Sequence, residues 1–250
     1  MSDHIRKRMQ DITLRANDTP IVLPKSVCVQ AARANRFSII GTVVNPRKQN
    51  MRTPIGNLPR IWGMEDSVIG RMVDARKFQF VFQNKESLNL VLKRGPWYFS
   101  EWMLATHKWI PNMHDITMKI IPFWTQIHGI PIQYLTLEMI DIIGRSVGHV
   151  SGIDFDENAT RVDYVRVRLE WNIDNPFRFK REFQFGHNES VLLSFYYERL
   201  HNFCKICGML THEKKECPLR FNENDDFPDD DDDANENNDT VLGYMSHMES

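Results

Sequence analysis

Short β-branched and aromatic runs alternate with amphipathic segments in the first half of the chain. FSIIGTVV (37–44) is a continuous apolar run typical of a strand, and SVIGRMVDARKFQFVF (67–82) ends in Phe residues that alternate with other side chains, as in a half-buried strand. A helix is predicted from Thr53-Pro54, and another after Asn84, a suitable N-cap, ending at Gly95-Pro96. WYFSEWMLATHKW then supplies a further strand. The resulting order is β-α-β-β-α-β.

The second half repeats the alternation with more charge. IPFWTQIHGI (121–130) predicts a strand, and TLEMIDIIGRSVG after it has apolar residues at helical spacing. VDYVRVRLEW (162–171) and FRFKREFQF (177–185) alternate at the period of a strand, and the intervening NIDNP predicts a hairpin turn. One more strand, ESVLLSFYYERL, leads towards the cysteines. We therefore predict a second βα unit followed by antiparallel strands.

Three of the four cysteines fall within CKICGMLTHEKKEC (204–217). Its spacing, Cys-x2-Cys-x4-His-x4-Cys, brings together the ligand types that Zn²⁺ prefers, and in a reducing compartment such clustering favours a metal over disulfides. Four ligands would fill a tetrahedral site, whereas a catalytic zinc keeps one position open for water. We predict one structural Zn²⁺, bound by Cys204, Cys207, His212 and Cys217.

Charge is unevenly distributed along the 250 residues. The whole chain has 31 Lys and Arg against 33 Asp and Glu, but eleven of the acidic residues and none of the basic ones follow Phe221. Residues 1–221 therefore carry a net charge of +9, which indicates a polyanionic partner for the body. The polar N-terminus and the lack of a long apolar run predict an intracellular protein, nuclear or cytoplasmic, with no membrane partner.

These patterns together predict an α+β fold with a ferredoxin-like or RNA-recognition-like βαββαβ body. The predicted divisions are a loosely ordered lead-in (1–36), the βαββαβ domain (37–112), a second α+β unit with a basic hairpin (113–199), a small zinc-binding segment (200–221) and a disordered acidic tail (222–250).

The run FYYERLHNFCKICGMLTHEKKEC resembles the plant form of the CCHC zinc knuckle. FSIIGTVV, FQFVF, LKRGPWYF and the segment from FWTQIHGIP to IGRSVGHV resemble a plant domain of unknown function, numbered 4283, which is often followed by such a knuckle in proteins related to LINE-type retroelements. The resemblance covers roughly residues 37–218 and implies binding of zinc and nucleic acid. Two positions depart from the family: His201 replaces Pro, and Thr211 replaces the Gly before the ligand histidine. Lys205 also stands where retroviral-type knuckles have a base-stacking aromatic residue.

Basic and aromatic residues near the cysteines are candidates for contacts with nucleic acid, because rows of Lys and Arg neutralise phosphates and aromatic rings stack on bases. The alternative is that these charges bind no nucleic acid and only solvate the exposed face of the sheet, since an antiparallel sheet commonly has one face in water. The candidates are Arg166, Arg168, Arg178, Lys180, Phe203, Lys205, Lys214 and Lys215. Phe78, Phe80 and Phe82 are instead expected in the core, since the motif of RNA-stacking strands is absent around them.

The leading hypothesis is a non-catalytic, retroelement-related protein whose zinc knuckle and basic residues bind single-stranded RNA or DNA. No phosphate-binding loop, zinc-protease helix or nucleophile elbow occurs in the sequence, so neither an enzyme nor a small-molecule substrate is expected. The alternative hypothesis is a protein-protein interaction module in which the knuckle is only a structural clasp.

Overall fold

Two five-stranded antiparallel sheets, one in each half of the chain, organise the fold. The computed structural model describes residues 20–50, 52–159, 161–186 and 189–220. The helices in these ranges are α1 (Lys25–Ala34), α2 (Arg52–Ile61), α3 (Lys85–Arg94) and α4 (Leu137–Val147). The strands are β1 (Ser38–Val43), β2 (Val68–Met72), β3 (Lys77–Phe82), β4 (Trp97–Phe99), β5 (Trp102–Lys108), β6 (Ile120–His128), β7 (His149–Asp154), β8 (Val165–Asn172), β9 (Lys180–Phe185) and β10 (Glu189–Tyr197).

The first sheet has the strand order β2-β3-β1-β5-β4 and contains the predicted βαββαβ arrangement. Phe78 and Phe80 are fully buried, which confirms their assignment to the core. Gly41 pairs with Phe78, and a Cβ on Gly41 would lie 2.2 Å from the Phe78 ring, so only glycine leaves room for it. Asn84 caps α3 as predicted, accepting a hydrogen bond from the Ser87 amide at 2.8 Å.

The segment predicted as one strand over 97–109 is a hairpin. β4 and β5 pair through Phe99 and Trp102, with Ser100 and Glu101 as a two-residue turn. Both turn residues have positive φ, 49° and 64°, as a type I′ turn requires. The usual signal for such a turn is Asn-Gly, so Ser-Glu gave no indication of it.

The second sheet has the order β7-β8-β6-β10-β9 and buries one side against α4. In β8, Val165, Val167 and Leu169 are buried and alternate with partly exposed residues, as their spacing predicts. On α4, Gly144 allows close contact, since a Cβ there would lie 2.8 Å from Val150. We call the side that faces α4 the core face and the opposite side the open face.

The predicted hairpin between 162–171 and 177–185 is wrong. β6 and β10 lie between β8 and β9, and β9 pairs with β10 instead. The reason is Phe177 in the connecting segment, whose ring stacks on Trp171 at 4.6 Å and contacts Tyr197 at 4.5 Å between ring centroids. Burial of this ring carries the chain across the core face to the far edge of the sheet.

The two sheets share one topology. Strands β6 to β10 occupy the same order, all antiparallel, as β1 to β5, and α4 follows β6 as α2 follows β1. The correspondence fails at one point: α3 connects β3 to β4, whereas the segment 173–179 between β8 and β9, which is described throughout, contains no helix. The second unit therefore lacks one of the two helices that cover such a sheet.

The predicted lead-in contains a helix, α1, none of whose residues is buried. Since no residue of α1 is buried, packing does not require an apolar side on this helix, and neither an N-cap hydrogen bond nor an acidic first turn marks its start. The Oδ1 atom of Asn35, just after the helix, accepts hydrogen bonds from Arg71 and Gln79 of the first sheet. The rest of the lead-in (1–19) and the predicted acidic tail lie outside the described residues. No described helix has the length and apolarity needed to span a bilayer.

Candidate metal centre and nucleic-acid surface

The Cys/His loop, residues 204–217, brings its four predicted ligands together. The donor atoms of Cys204, Cys207, His212 and Cys217 all lie within 4.8 Å of one another. Tetrahedral bonds of about 2.0–2.3 Å to Zn²⁺ place neighbouring donor atoms roughly 3.3–3.8 Å apart, so the cluster fits one zinc ion. Cys204 and Cys217 are buried, which shields the site from solvent on that side.

Backbone hydrogen bonds shape the loop around these ligands. The Cys204 amide donates to the Met209 carbonyl at 2.8 Å, and the Gly208 amide donates to the Cys204 carbonyl at 2.8 Å. Gly208 has φ +76°, and a Cβ on it would lie 2.7 Å from the Phe177 carbonyl oxygen. Glycine is thus required here both by the left-handed backbone and by the close approach of the Phe177 segment.

The thiols experience opposing influences. Burial favours the neutral form of Cys204, but hydrogen bonds from the Cys207 and Ile206 amides outweigh it and lower the pKa of this thiol. Burial raises the pKa of Cys207 to about 11, with the neighbouring thiols adding to the effect. A thiol cluster of this kind gains most when a cation replaces its protons, which is the chemistry of a Cys₃His zinc site.

Thr211 lies beside the ligand histidine. The Nε2 atom of His212 is 3.2 Å from the Cys207 sulfur, and Nδ1 is 3.3 Å from Thr211 Oγ1. With the metal on Nε2, Nδ1 carries the proton and donates it to the hydroxyl, a contact that fixes the orientation of the ring. The sequence marked Thr211 only as a departure from the family's glycine; the structure gives it a role at the site.

The Cys/His loop covers the core face of the second sheet where a second helix is missing. Leu210 is fully buried in the core of this unit, and Phe203 packs on Phe179 with ring centroids 4.9 Å apart. The Phe177 amide donates to the Gly208 carbonyl at 2.9 Å, joining the loop to the segment that crosses the sheet. The loop therefore packs on the same side of the second sheet as α4, as α3 packs on the same side of the first sheet as α2.

Ion pairs connect the Cys/His loop to the first unit as well. Lys48 lies 3.1 Å from Glu213, and Arg47 lies 4.0 Å from Glu216, both from the segment after β1. These pairs are partly exposed and each contributes little to stability. Together with the buried contacts they fix the loop against both units.

Two family models match the chain. Residues 31–115 match the model described as a domain of unknown function (DUF4283), and residues 171–219 match that of a zinc knuckle. The chain carries a DUF4283 domain followed by a zinc knuckle. The Cys/His loop is the ligand-bearing part of that knuckle, and the knuckle supports a nucleic-acid-binding module.

One curated relative matches about half of the chain. Over 131 residues the chain is 36% identical to "Uncharacterized protein At4g02000" of Arabidopsis thaliana, which is 52% of this chain and 42% of that protein. The chain thus spans less than half the length of this relative.

Similar solved structures are distant. The RNA-binding domain of Hrp1 in complex with RNA is 13% identical, covering 54% of this chain and 81% of that one at a TM-score of 0.26. The N-terminal three RNA-binding domains of the yeast splicing factor Prp24 are 13% identical, covering 65% and 66% at a TM-score of 0.24. These similarities are too remote to support a functional inference.

Arg166, one of the predicted phosphate contacts, is engaged within the protein. Its Nε and Nη2 atoms donate to both carboxylate oxygens of Glu198 at 2.9 Å, and Nη1 donates to Asp154 at 2.8 Å. These bonds raise the pKa of Arg166, and the hydrogen bond to Glu198 has the largest effect. Its guanidinium also lies 4.8 Å from the ring centroid of Trp124. Its contact with phosphate stays a prediction, and the guanidinium would have to share its hydrogen bonds with Glu198 and Asp154 to make it.

The open face of the second sheet collects other candidates. Arg168 projects there from β8, and Lys180 lies on the same face of β9, because its partner Ser194 alternates with buried Leu193 and Phe195. Three interstrand spacings, about 14 Å, separate these two strands, so they do not form the continuous row that a hairpin would give. Trp124 and the exposed Tyr196 lie on this face as well.

The knuckle candidates lie on the other side of this sheet. Lys205, Lys214 and Lys215 are exposed on the loop that covers the core face, and Phe203 is part of the packing. Arg178 is exposed next to the loop, its carbonyl accepting from the Tyr197 hydroxyl at 2.9 Å. The predicted contacts therefore form two surfaces, separated by the second sheet.

Proposed function

We propose that the chain is a non-catalytic nucleic-acid-binding protein that prefers single strands and is related to the retroelement proteins its sequence resembles. The observation that carries the proposal is the zinc knuckle, a Cys₃His cluster with exposed lysines on its rim. Lys205 and Lys215 can reach phosphates, and the zinc ion keeps the short loop that bears them in one shape.

The open face of the second sheet supports a preference for single strands. Tyr196 is 59% exposed, and half-buried Trp124 lies near it on β6, with Arg168 on β8 and Lys180 on the edge strand β9. Unpaired bases expose ring faces that can stack on such aromatic residues, whereas bases in a duplex are already stacked. The open face would therefore stack on the bases of a single strand and not on those of a duplex.

The absence of catalysis is part of the proposal and is supported by the ligand count. Four protein ligands complete the tetrahedron around Zn²⁺, which leaves no position for an activated water or a substrate oxygen.

The test is equilibrium binding of the zinc-loaded full chain to a labelled ten-nucleotide single strand, RNA or DNA, and to the matching duplex. Tighter binding of one or both single strands is expected, and K205A/K215A should weaken it. The matched control is Lys25→Ala on exposed α1, which should leave binding unchanged. Equal affinity for strand and duplex would contradict the single-strand preference, and no binding at low salt would reject the proposed function.

A protein-interaction role is the second candidate, favoured by the edge of the first sheet. Strand β2 lies at that edge, and Ile69 and Met72 on it are 71% and 47% exposed. Exposed apolar edge strands can pair with a strand of another protein. Salt separates the two candidates, because phosphate binding weakens as salt rises whereas apolar edge pairing does not.

A further inference from the structure

Two adjoining clefts meet where the first unit contacts the second. One, of about 520 Å³, lies against Trp97, Tyr98 and Phe99, and the other, of about 250 Å³, lies between the end of α3 and Trp124. Both are lined by Pro96 and Arg199, so they adjoin each other, and we call the pair of clefts the interunit groove.

The narrower part of the interunit groove is cationic. Lys93 and Arg94 end α3, and Arg199 faces them, its Nη1 donating to the Arg94 carbonyl oxygen. None of these three side chains forms a salt bridge with another residue that the structure describes. The acidic lining residue, Glu198, is neutralised by its paired bonds to Arg166. Arg199 also attracts the Glu198 carboxylate, but the lining has four basic side chains against this one acidic group, so a net positive charge is available to an anion.

The wider part of the interunit groove is aromatic. Tyr98 is 41% exposed and one side of its ring stacks on His201, with ring centroids 3.4 Å apart. Trp97 is held in place by a hydrogen bond from its indole nitrogen to the Val91 carbonyl at 2.9 Å. A flat aromatic ligand entering the groove would meet a pre-oriented ring, which lowers the entropy lost on stacking.

We propose that the interunit groove binds one nucleotide unit of a single strand, with its base against Tyr98 and a phosphate at Lys93, Arg94 and Arg199. This rests on the proposed function and assigns it a site outside the knuckle. An aromatic cleft beside a cluster of net positive charge matches the two chemistries of a nucleotide, a ring face and a phosphate anion. Trp124 lines the cationic end and lies on the open face of the second sheet, so the strand can continue from the groove onto that face.

The phosphate half is tested with K93A/R94A in the zinc-loaded full chain, using ten-residue oligouridylate and oligothymidylate. The slope of log K against log salt should become less steep by about 1.4, from about 0.7 for each of two lost contacts. The matched control is Lys85→Ala, an exposed lysine at the opposite end of the same helix, which should leave slope and affinity unchanged. An unchanged slope in K93A/R94A, or an equal change in the control, would overturn the proposed phosphate contact.

The base half is tested with Tyr98→Leu against Tyr98→Phe. Leucine removes the ring and should weaken binding about tenfold, whereas phenylalanine keeps the ring and should bind as the wild type does. Melting temperatures of both variants exclude unfolding as the cause. Unchanged affinity in Tyr98→Leu overturns the stacking contact, and a loss in both variants assigns the effect to the hydroxyl instead. If the wild-type chain binds neither oligonucleotide, the proposed function itself fails, a result distinct from wild-type binding that these substitutions leave unchanged.

Discussion

At the scale of single residues, the knuckle depends on side chains beyond its four ligands. The ligands themselves follow from sequence, because spacing alone limits which groups can surround one ion in so short a loop. Thr211 could not be assigned a role that way, since its contact with His212 Nδ1 depends on how the ring is rotated in the folded loop. Phe203, predicted to contact nucleic acid, packs on Phe179 in the segment before β9, a contact between residues too far apart in the chain for the local sequence to show it.

We expect Thr211→Val, which keeps the shape of the side chain and removes the acceptor, to weaken zinc binding by about 10- to 100-fold. The hydroxyl holds the His212 ring with Nε2 towards the sulfur atoms, and without it the ring must find another partner. Competition with a chromophoric zinc chelator measures the change. Thr211→Ser is the control and should retain affinity near the wild type. Equal zinc affinity in the valine variant would show that the contact has no influence on the metal.

At the scale of elements, the knuckle replaces a helix. The second sheet has the topology of the first, but its core lacks a second helix and instead includes Phe177, Leu210 of the Cys/His loop, and Val44, Met103 and Ala105 of the first unit. Sequence predicted the strands well because their alternation is local. It failed where a tertiary contact decided the outcome: buried Phe177 separates β8 from β9, and Ser100-Glu101 turns the chain without a recognisable turn signal.

Removal of zinc should therefore loosen the core of the second unit and not only the loop. Without the metal the loop loses its main source of folding energy, and Leu210 and the Phe177 segment lose the partner that covers them. Hydrogen exchange of the chain with and without a chelator should show lost protection in β10 and in residues 173–179, with β1 and β3 unchanged. Reloading with zinc should restore it. If protection were lost only within 204–217, the knuckle would not contribute to the stability of the second unit.

At the scale of the whole molecule, residues 1–221 and residues 222–250 carry net charges of opposite sign. The sequence assigns +9 to residues 1–221 and eleven acidic residues, with no basic ones, to the remainder. The division of the body into two units also follows from the sequence pattern. Their packing does not, because the contacts between them, such as Tyr98 on His201 and Lys48 with Glu213, join residues far apart in the chain.

We expect deletion of residues 222–250 to tighten oligonucleotide binding, because the acidic segment competes with phosphates for the basic body. The gain should be largest at low salt and shrink as salt screens the competition. Anisotropy titrations of the full and shortened chains give the comparison. A chain in which Asp229 to Asp233 become Asn controls for length, and should show part of the same gain. Identical affinities at low salt would reject the competition.

The most direct test of the central claim, that this is a nucleic-acid-binding protein, is the salt dependence of binding between the zinc-loaded full chain and a short single-stranded RNA. Each phosphate contacted should contribute about −0.7 to the slope of log K against log salt, so three contacts predict a slope of about −2. No binding at low salt, or a slope near zero, would contradict the account.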